Sequence, residues 1–366
     1  MRKKHTAVLD VGSSKITAII GERGINKTFL IKARRDYPYD GFSERAFFDA
    51  EALKKTLIAS AHFIKKSVGA EVDSVFVGVP GEFTDVTVKD SQLSFPKKKR
   101  ITEKDTDNLF DSAFVLSSAK KTLINRSAIV FELDGYRRLA NPIGEVSEIL
   151  KGKLSFITCD NYFIDTIKPV LSGSGFSSVE FVSTALAEAM YLLEAETRDK
   201  IAVLVDSGYI TTTYSLIQGD GILYQNTFDF GGGYITAALT EKFGISFEDA
   251  EELKRKVSIS SVPAGAYDVI SCSNGGYYSA ETVREVIRSC LDVLCERIEE
   301  SAEASGYAIP DYVPIEVTGG GISYIRGARA HISGRLGTFV EIVAPKVPLK
   351  EKPSESSVLS LLDLTF

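Results

Sequence analysis

Asp10 and Asp206 each end a short apolar run beside a glycine turn, in Leu9-Asp10-Val11-Gly12-Ser13-Ser14-Lys15 and Val205-Asp206-Ser207-Gly208-Tyr209-Ile210-Thr211. Glycine lets backbone N–H groups approach phosphate oxygens without a Cβ in the way. A carboxylate at the same spot offers a hard oxygen ligand to Mg²⁺, directly or through its waters. Lys15 adds a point charge suited to terminal phosphates. Two such loops facing each other make a phosphate clamp. Either Asp taken alone is equally a cap on an ordinary turn.

A third glycine turn, Gly319-Gly320-Gly321, follows the apolar run Ile315–Thr318. Its use in this chemistry is close approach to a ribose or base; a flexible turn has the same composition. Glu251 and Lys254 stand three apart on a predicted helix and share a face. They suit ribose hydroxyls, and they equally suit a solvated ion pair. The four cysteines (Cys159, Cys272, Cys290, Cys295) form no C-x-x-C pair and only three histidines accompany them, which argues against a zinc site or a disulfide framework.

These loops need elements to hold them. Thr6–Leu9 and Ile16–Ile20 flank the first glycine turn and predict a β-hairpin with Asp and Lys at its tip. Leu53, Leu57, Ala61, Ile64 and Val68 recur at gaps of three and four, predicting a helix over 50–68. Val75–Val79 is a buried strand. From Gly81 to Asp160 the pattern changes to strand, helix, strand, strand. Pro96–Arg100 there is expected to be a charged turn. The helix is placed over 102–120, with Leu109, Ala113 and Leu116 inward and a Thr102/Asp105 capping box. Asn141–Gly144 is a turn, and Leu154–Thr158 a strand. Helix 163–172, strands 178–182, 201–206, 211–217 and 222–227, and helices 234–243 and 247–257 follow. Val283, Ile287, Leu291, Leu294 and Ile298 line one face of a longer helix. The segment Ala7–Ser14 recurs as Ala202–Gly208, which suggests two related halves.

The chain has 366 residues, 44% hydrophobic and 25% charged, with a net charge of −6. That length suits two lobes of ordinary domain size. An acidic chain gains nothing from counterion release, so nucleic acid is not an expected partner. The basic start Met1–His5 leads into an apolar stretch broken by Asp10 and Lys15, so no export signal is read. No stretch approaches the roughly 18 apolar residues of a membrane span.

The order of the three glycine loops resembles that of the actin, heat-shock chaperone and sugar-kinase superfamily. Within it the sequence is most similar to the FtsA cell-division family over nearly its full length. The resemblance rests on Leu9–Lys15, Arg100–Asp105, Asn141–Gly144, Phe230-Gly231-Gly232-Gly233-Tyr234-Ile235-Thr236 and Ala250-Glu251-Glu252-Leu253-Lys254. It implies an α/β, actin-like two-lobed fold of duplicated ribonuclease H-like domains with an FtsA-type inserted subdomain. The expected division is 1–80, 161–185 and 350–366 for the first-lobe core and 81–160 for the insert. The second-lobe core takes 186–232 and 310–349, and its smaller subdomain 233–309. The resemblance also implies ATP or ADP with Mg²⁺. Asp10 and Asp206 would position the metal through water. Gly12, Ser13, Ser14, Lys15, Gly208 and Thr211 would hold phosphates. Gly319, Gly320 and Gly321 would pack on adenosine, Glu251 and Lys254 would reach the ribose, and Gly232 would also belong to the nucleotide site.

The expected function is that of an ATP-binding division protein on the inner face of the membrane. It would polymerise and bind the C-terminal tail of the tubulin-like FtsZ together with other division proteins. The alternatives are a non-polymerising adaptor of the pilus-assembly type, whose insert is expected to differ, and a diverged relative with another partner. A sugar or acetate kinase is disfavoured, because no Asp or Glu has the motif of its catalytic base. The second phosphate loop departs from the superfamily's glycine run, so the expectation is at most a weak ATPase. Ser357-Val358-Leu359-Ser360 replaces a small-residue contact ending in Gly. Val358, Leu359, Leu361, Leu362 and Leu364 point all round a helix without Lys or Arg, so the segment is expected to pack in the core and not to anchor on a membrane.

Overall fold

The computed structural model describes residues 5–24, 28–68, 72–116, 118–135, 137–260 and 268–366. The basic residues 1–4 noted above lie outside these. The chain opens with β1 (His5–Val11), β2 (Lys15–Arg23) and β3 (Phe29–Pro38), an antiparallel meander. A short hairpin, β4 (Phe42–Ser43) and β5 (Ala46–Phe47), leads to α1 (Ala50–Val68) and β6 (Ser74–Val79). Leu53, Leu57, Ala61 and Ile64 are fully inward on α1, as their spacing requires. Burying each of the leucines and the isoleucine contributes about 1.5–3 kcal/mol.

The insert follows. β7 (Thr84–Arg100), α2 (Glu103–Ala113), β8 (Lys121–Leu133), β9 (Arg137–Leu139) and β10 (Val146–Asp160) form a sheet of order β7-β10-β8-β9 with α2 packed on it. The Thr102/Asp105 capping box is present. Two expectations are corrected. Pro96–Arg100 is strand, not turn: β7 lies at the sheet edge, where a proline forfeits no ladder bond and lysines discourage foreign pairing. The pairing also slips there, Ser94 facing Ile149 and Lys99 facing Ser147. The helix stops at Ala113, not near 120, and Val115 and Leu116 are exposed.

The chain then returns through α3 (Asn161–Gly173), β11 (Ser178–Ser183), α4 (Thr184–Leu192) and the single turn α5 (Ala195–Arg198). A second meander, β12 (Ala202–Ser207), β13 (Thr211–Gln218) and β14 (Gly221–Asp229), precedes α6 (Gly232–Phe243) and α7 (Phe247–Lys256). A small hairpin, β15 (Val269–Ser271) and β16 (Tyr277–Ser279), leads into the long α8 (Ala280–Ser305). β17 (Ile315–Thr318), α9 (Ala328–Leu336), β18 (Val340–Ile342) and α10 (Ser356–Leu364) complete the chain.

The two five-stranded sheets have the same plan. In β3-β2-β1-β6-β11 and in β14-β13-β12-β17-β18, three antiparallel strands are continued by two parallel ones. β1 and β12 occupy the same central position, which turns the short Ala7/Ala202 repeat into a structural duplication. α10 closes the first lobe. Val358, Leu359, Leu361 and Leu362 are all buried, against Val8, Ile19 and Ala187 among others. The helix comes close because Gly78 and Gly21 lack a Cβ; one on Gly78 would stand 2.3 Å from Leu361. Among the described residues no helix is long and apolar enough to cross a membrane.

Candidate functional site

A cavity of about 390 Å³ lies where the two sheets face each other, within the usual range of small-molecule sites. Its walls are the tips of the two equivalent hairpins. On the first side are Asp10, Gly12, Ser13, Ser14 and Lys15; on the second are Asp206, Gly208, Tyr209 and Thr211. Each tip is closed in the same way: the Gly12 N–H donates to the Lys15 carbonyl at 3.0 Å, and the Gly208 N–H to the Thr211 carbonyl at 2.9 Å. Asp10 is the last residue but one of β1 and lies opposite Gly78 of β6, as Asp206 is the last but one of β12 and lies opposite Thr318 of β17.

A third carboxyl joins the two aspartates. Glu188, on α4, lines the cavity, is 1% exposed, and among the described residues its Oε1 has no hydrogen-bond partner. Burial and then the charges of Asp206 and Asp10 push its carboxyl far above the ordinary range. Asp206 is pushed up to about 7, by burial first and then by Asp10. Asp10 is raised by burial, an effect tempered by the Ser357 hydroxyl, which donates to its Oδ2 at 2.5 Å, and by the Lys15 charge. Among the described residues no three His, Cys, Asp or Glu side chains stand so as to hold a bare metal ion, but buried Asp10 and Glu188 and half-buried Asp206 repel one another, and a hydrated divalent cation would relieve that through its waters.

The first wall also carries a positive charge, that of Lys15. Lys15 Nζ pairs with Asp36 at 2.7 Å, and the Thr17 hydroxyl shares that carboxylate. Burial raises Asp36, but Lys15 more than offsets this and it titrates below the ordinary range. The lysine is thereby held at the cavity rim. Ser13 Oγ accepts from the Ile210 amide of the opposite loop at 3.1 Å, tying the two tips together.

Gly319 and Gly320 line the cavity, and Gly319 takes φ +90°, where a Cβ would stand 2.3 Å from Asp206 Oδ1. Gly321, Gly232, Glu251 and Lys254 do not line it. A Cβ on Gly321 would fall 2.1 Å from the Gly208 carbonyl, and one on Gly232 would fall 2.6 Å from that of Gly321. These two glycines therefore let three loops pack together. Lys254 is 1% exposed and donates to the Gly232 carbonyl at 2.7 Å and Thr236 Oγ1 at 2.6 Å, and it pairs with Glu251 at 2.6 Å. Burial raises the Glu251 carboxyl, but Lys254 outweighs it and the net direction is down. The pair anchors the start of α6 beneath the site, and Arg255 is the member of α7 that reaches the cavity.

Among the lining residues that sequence reading missed are Glu188, Thr184, Arg255 and Ser354. A glutamate inside Thr184-Ala185-Leu186-Ala187-Glu188-Ala189-Met190 was the available signal, since a charge within so apolar a run demands a purpose. Ser357 was noted only as part of a hinge.

Comparison with known proteins follows this geometry. The family model described as "Type IV pilus assembly protein PilM" matches residues 178–360, half of the chain. Cell division protein FtsA of Pseudomonas aeruginosa is 21% identical over 328 residues, 87% of this chain and 78% of that protein. FtsA of Enterococcus faecalis is 23% identical over 93% of this chain and 77% of its own length. Among solved structures, a PilM–PilN type IV pilus biogenesis complex aligns with TM-score 0.65 and 18% identity over 98% of both chains. MreB 5 of Spiroplasma citri bound to AMPPNP aligns with TM-score 0.57 and 13% identity, over 98% of this chain and 96% of its own. The fold is thus the actin-like two-lobed one.

Proposed function

The chain belongs to the actin-like ATPase family that includes FtsA and PilM, and on that premise we propose that it binds ATP or ADP with Mg²⁺ between its lobes. The observation that carries this is the meeting of three carboxyls, two buried and one half-buried, with two glycine-tipped hairpins in one cavity. Asp10, Asp206 and Glu188 would surround the hydrated cation, which when bound neutralises phosphate charge. Gly12–Lys15 and Gly208–Thr211 would hold the phosphates, and Gly319–Gly320 with Arg255 the nucleoside side. The second tip spends its Ile210 amide on Ser13 and carries Tyr209 where glycine would give closer approach. This supports a protein that holds nucleotide and turns it over slowly.

The role in the cell follows from the relatives. Similarity to FtsA over most of the chain supports a scaffold that polymerises at the division site, on the inner face of the membrane, and links the FtsZ ring to the division machinery. The pilus-type adaptor is the second reading, favoured by the PilM family model and by the full-length likeness to a PilM that was solved with PilN. Calorimetry with Mg-ATP tests the site: saturable binding is expected, and no heat at millimolar nucleotide contradicts it. Pull-downs with an FtsZ C-terminal peptide and, in parallel, a PilN peptide then test the role. Retention on FtsZ alone is expected, and retention on PilN alone overturns the division reading.

A further inference from the structure

A second built cavity lies in the second lobe, away from the nucleotide cleft. It has a volume of about 270 Å³ and is lined by Ile201, Ala202, Val313 and Pro314, with Glu316 and Tyr312. Glu316 sits on the interior strand β17, between Leu204 of β12 and Glu341 of β18. It is only 8% exposed, and among the described residues its carboxyl has neither a hydrogen bond nor an ion pair. A buried carboxyl in that position costs stability unless something neutralises it. Burial, and then Glu341, push it up to about 7. Lys200 stands exposed at the rim without pairing to it.

We propose that this cavity receives an arginine side chain from an extended segment of a partner protein, with Glu316 as its counter-charge and Tyr312 as its stacking wall. The walls are apolar, which suits a methylene stem. The acidic groups Glu196, Glu316 and Glu341 exclude an anion. A bare divalent cation is not provided for, since among the described residues no three His, Cys, Asp or Glu side chains stand so as to hold one. Tyr312 is 72% exposed, so its ring is free to cover a planar guanidinium, which stays charged on desolvation where an ammonium loses its proton more readily. The site is independent of the nucleotide reading, since none of its residues touches that cleft.

The test is a titration of the full chain with N-acetyl-arginine N-methylamide, followed by NMR, with the citrulline analogue as the isosteric uncharged control. The expected result is a saturable shift confined to residues 196–202 and 312–316, with citrulline at least tenfold weaker. Glu316→Gln should weaken the arginine probe at least tenfold and Tyr312→Ala severalfold, with Mg-ATP binding unchanged in both. Equal binding of the two probes, shifts elsewhere, or no saturable shift at tens of millimolar overturns the proposal. Should Glu316→Gln fail to fold, the citrulline comparison on the unsubstituted chain and the exposed Tyr312→Ala variant decide it.

Discussion

The two hairpin tips share a backbone plan and differ in what they add to it. Both place an aspartate at the end of a central strand and close the turn with one glycine N–H bond. The first tip then surrounds Asp10 with help: the Ser357 hydroxyl, Lys15, and two serines. The second leaves Asp206 among carboxyls and fills its turn with Tyr209, whose ring meets Phe247 edge-on, and Ile210, whose amide is donated to Ser13. Duplication thus preserved the frame while the chemistry became one-sided. On the proposed reading the first wall would hold phosphate and the second the cation, while the Ile210 amide donated to Ser13 links the two tips.

The largest consequence concerns affinity. Asp10→Ala is expected to weaken Mg-ATP binding about a hundredfold, roughly 2.7 kcal/mol, and Asp206→Ala about tenfold, both by calorimetry. Equal losses would erase the asymmetry. The next consequence is a stability difference without nucleotide. Asp206 has a folded-state pKa raised to about 7 from 3.8. The folded state therefore holds its proton more tightly, and the aspartate costs nothing below about pH 4. Its cost grows as pH rises and is complete above 7. Asp206→Asn should accordingly stabilise the nucleotide-free chain by about 1–2 kcal/mol at pH 8 and by nothing at pH 4, read by denaturant unfolding. Asp10→Asn should gain less, because Ser357 and Lys15 already stabilise its charge.

How far this was readable from sequence differs between the walls. Asp10 and Asp206 were legible because strand, aspartate and glycine are local and occur twice. The identical order of the two sheets confirms what that repeat suggested. Glu188 was not legible as a partner of either, because only the packing of α4 under both sheets brings it there. Lys254 had the right spacing from Glu251, yet sequence does not show that the Gly232 carbonyl and Thr236, together with Glu251, take up its three donors. β3 escaped notice because Lys32, Arg34, Arg35 and Asp36 mask its alternation. It nevertheless supplies Asp36, which holds Lys15. Pro96 and the lysines after it imitate a turn in composition, and only the edge position of β7 explains them as strand.

Two smaller effects sharpen the comparison. Ser357→Ala removes the hydroxyl donated to Asp10 and should cost about three- to tenfold in Mg-ATP affinity, with Asp10 titrating higher by NMR. Ser13→Ala breaks the bond between the tips. Folding stability should fall by about 0.5–1.5 kcal/mol, while nucleotide affinity changes no more than two- to threefold, since the freed Ile210 amide becomes available to phosphate. A loss as large as that of Asp10→Ala would show that Ser13 binds phosphate more than it locks the lobes.

The most direct measurement is a crystal structure of the chain grown with ADP and Mn²⁺ in place of Mg²⁺, with anomalous maps at the manganese edge. The account predicts the diphosphate between Gly12–Lys15 and Gly208–Thr211, and one anomalous peak among Asp10, Asp206 and Glu188. Nucleotide bound elsewhere, or a diphosphate in the cleft with no metal near these three carboxyls, would contradict it.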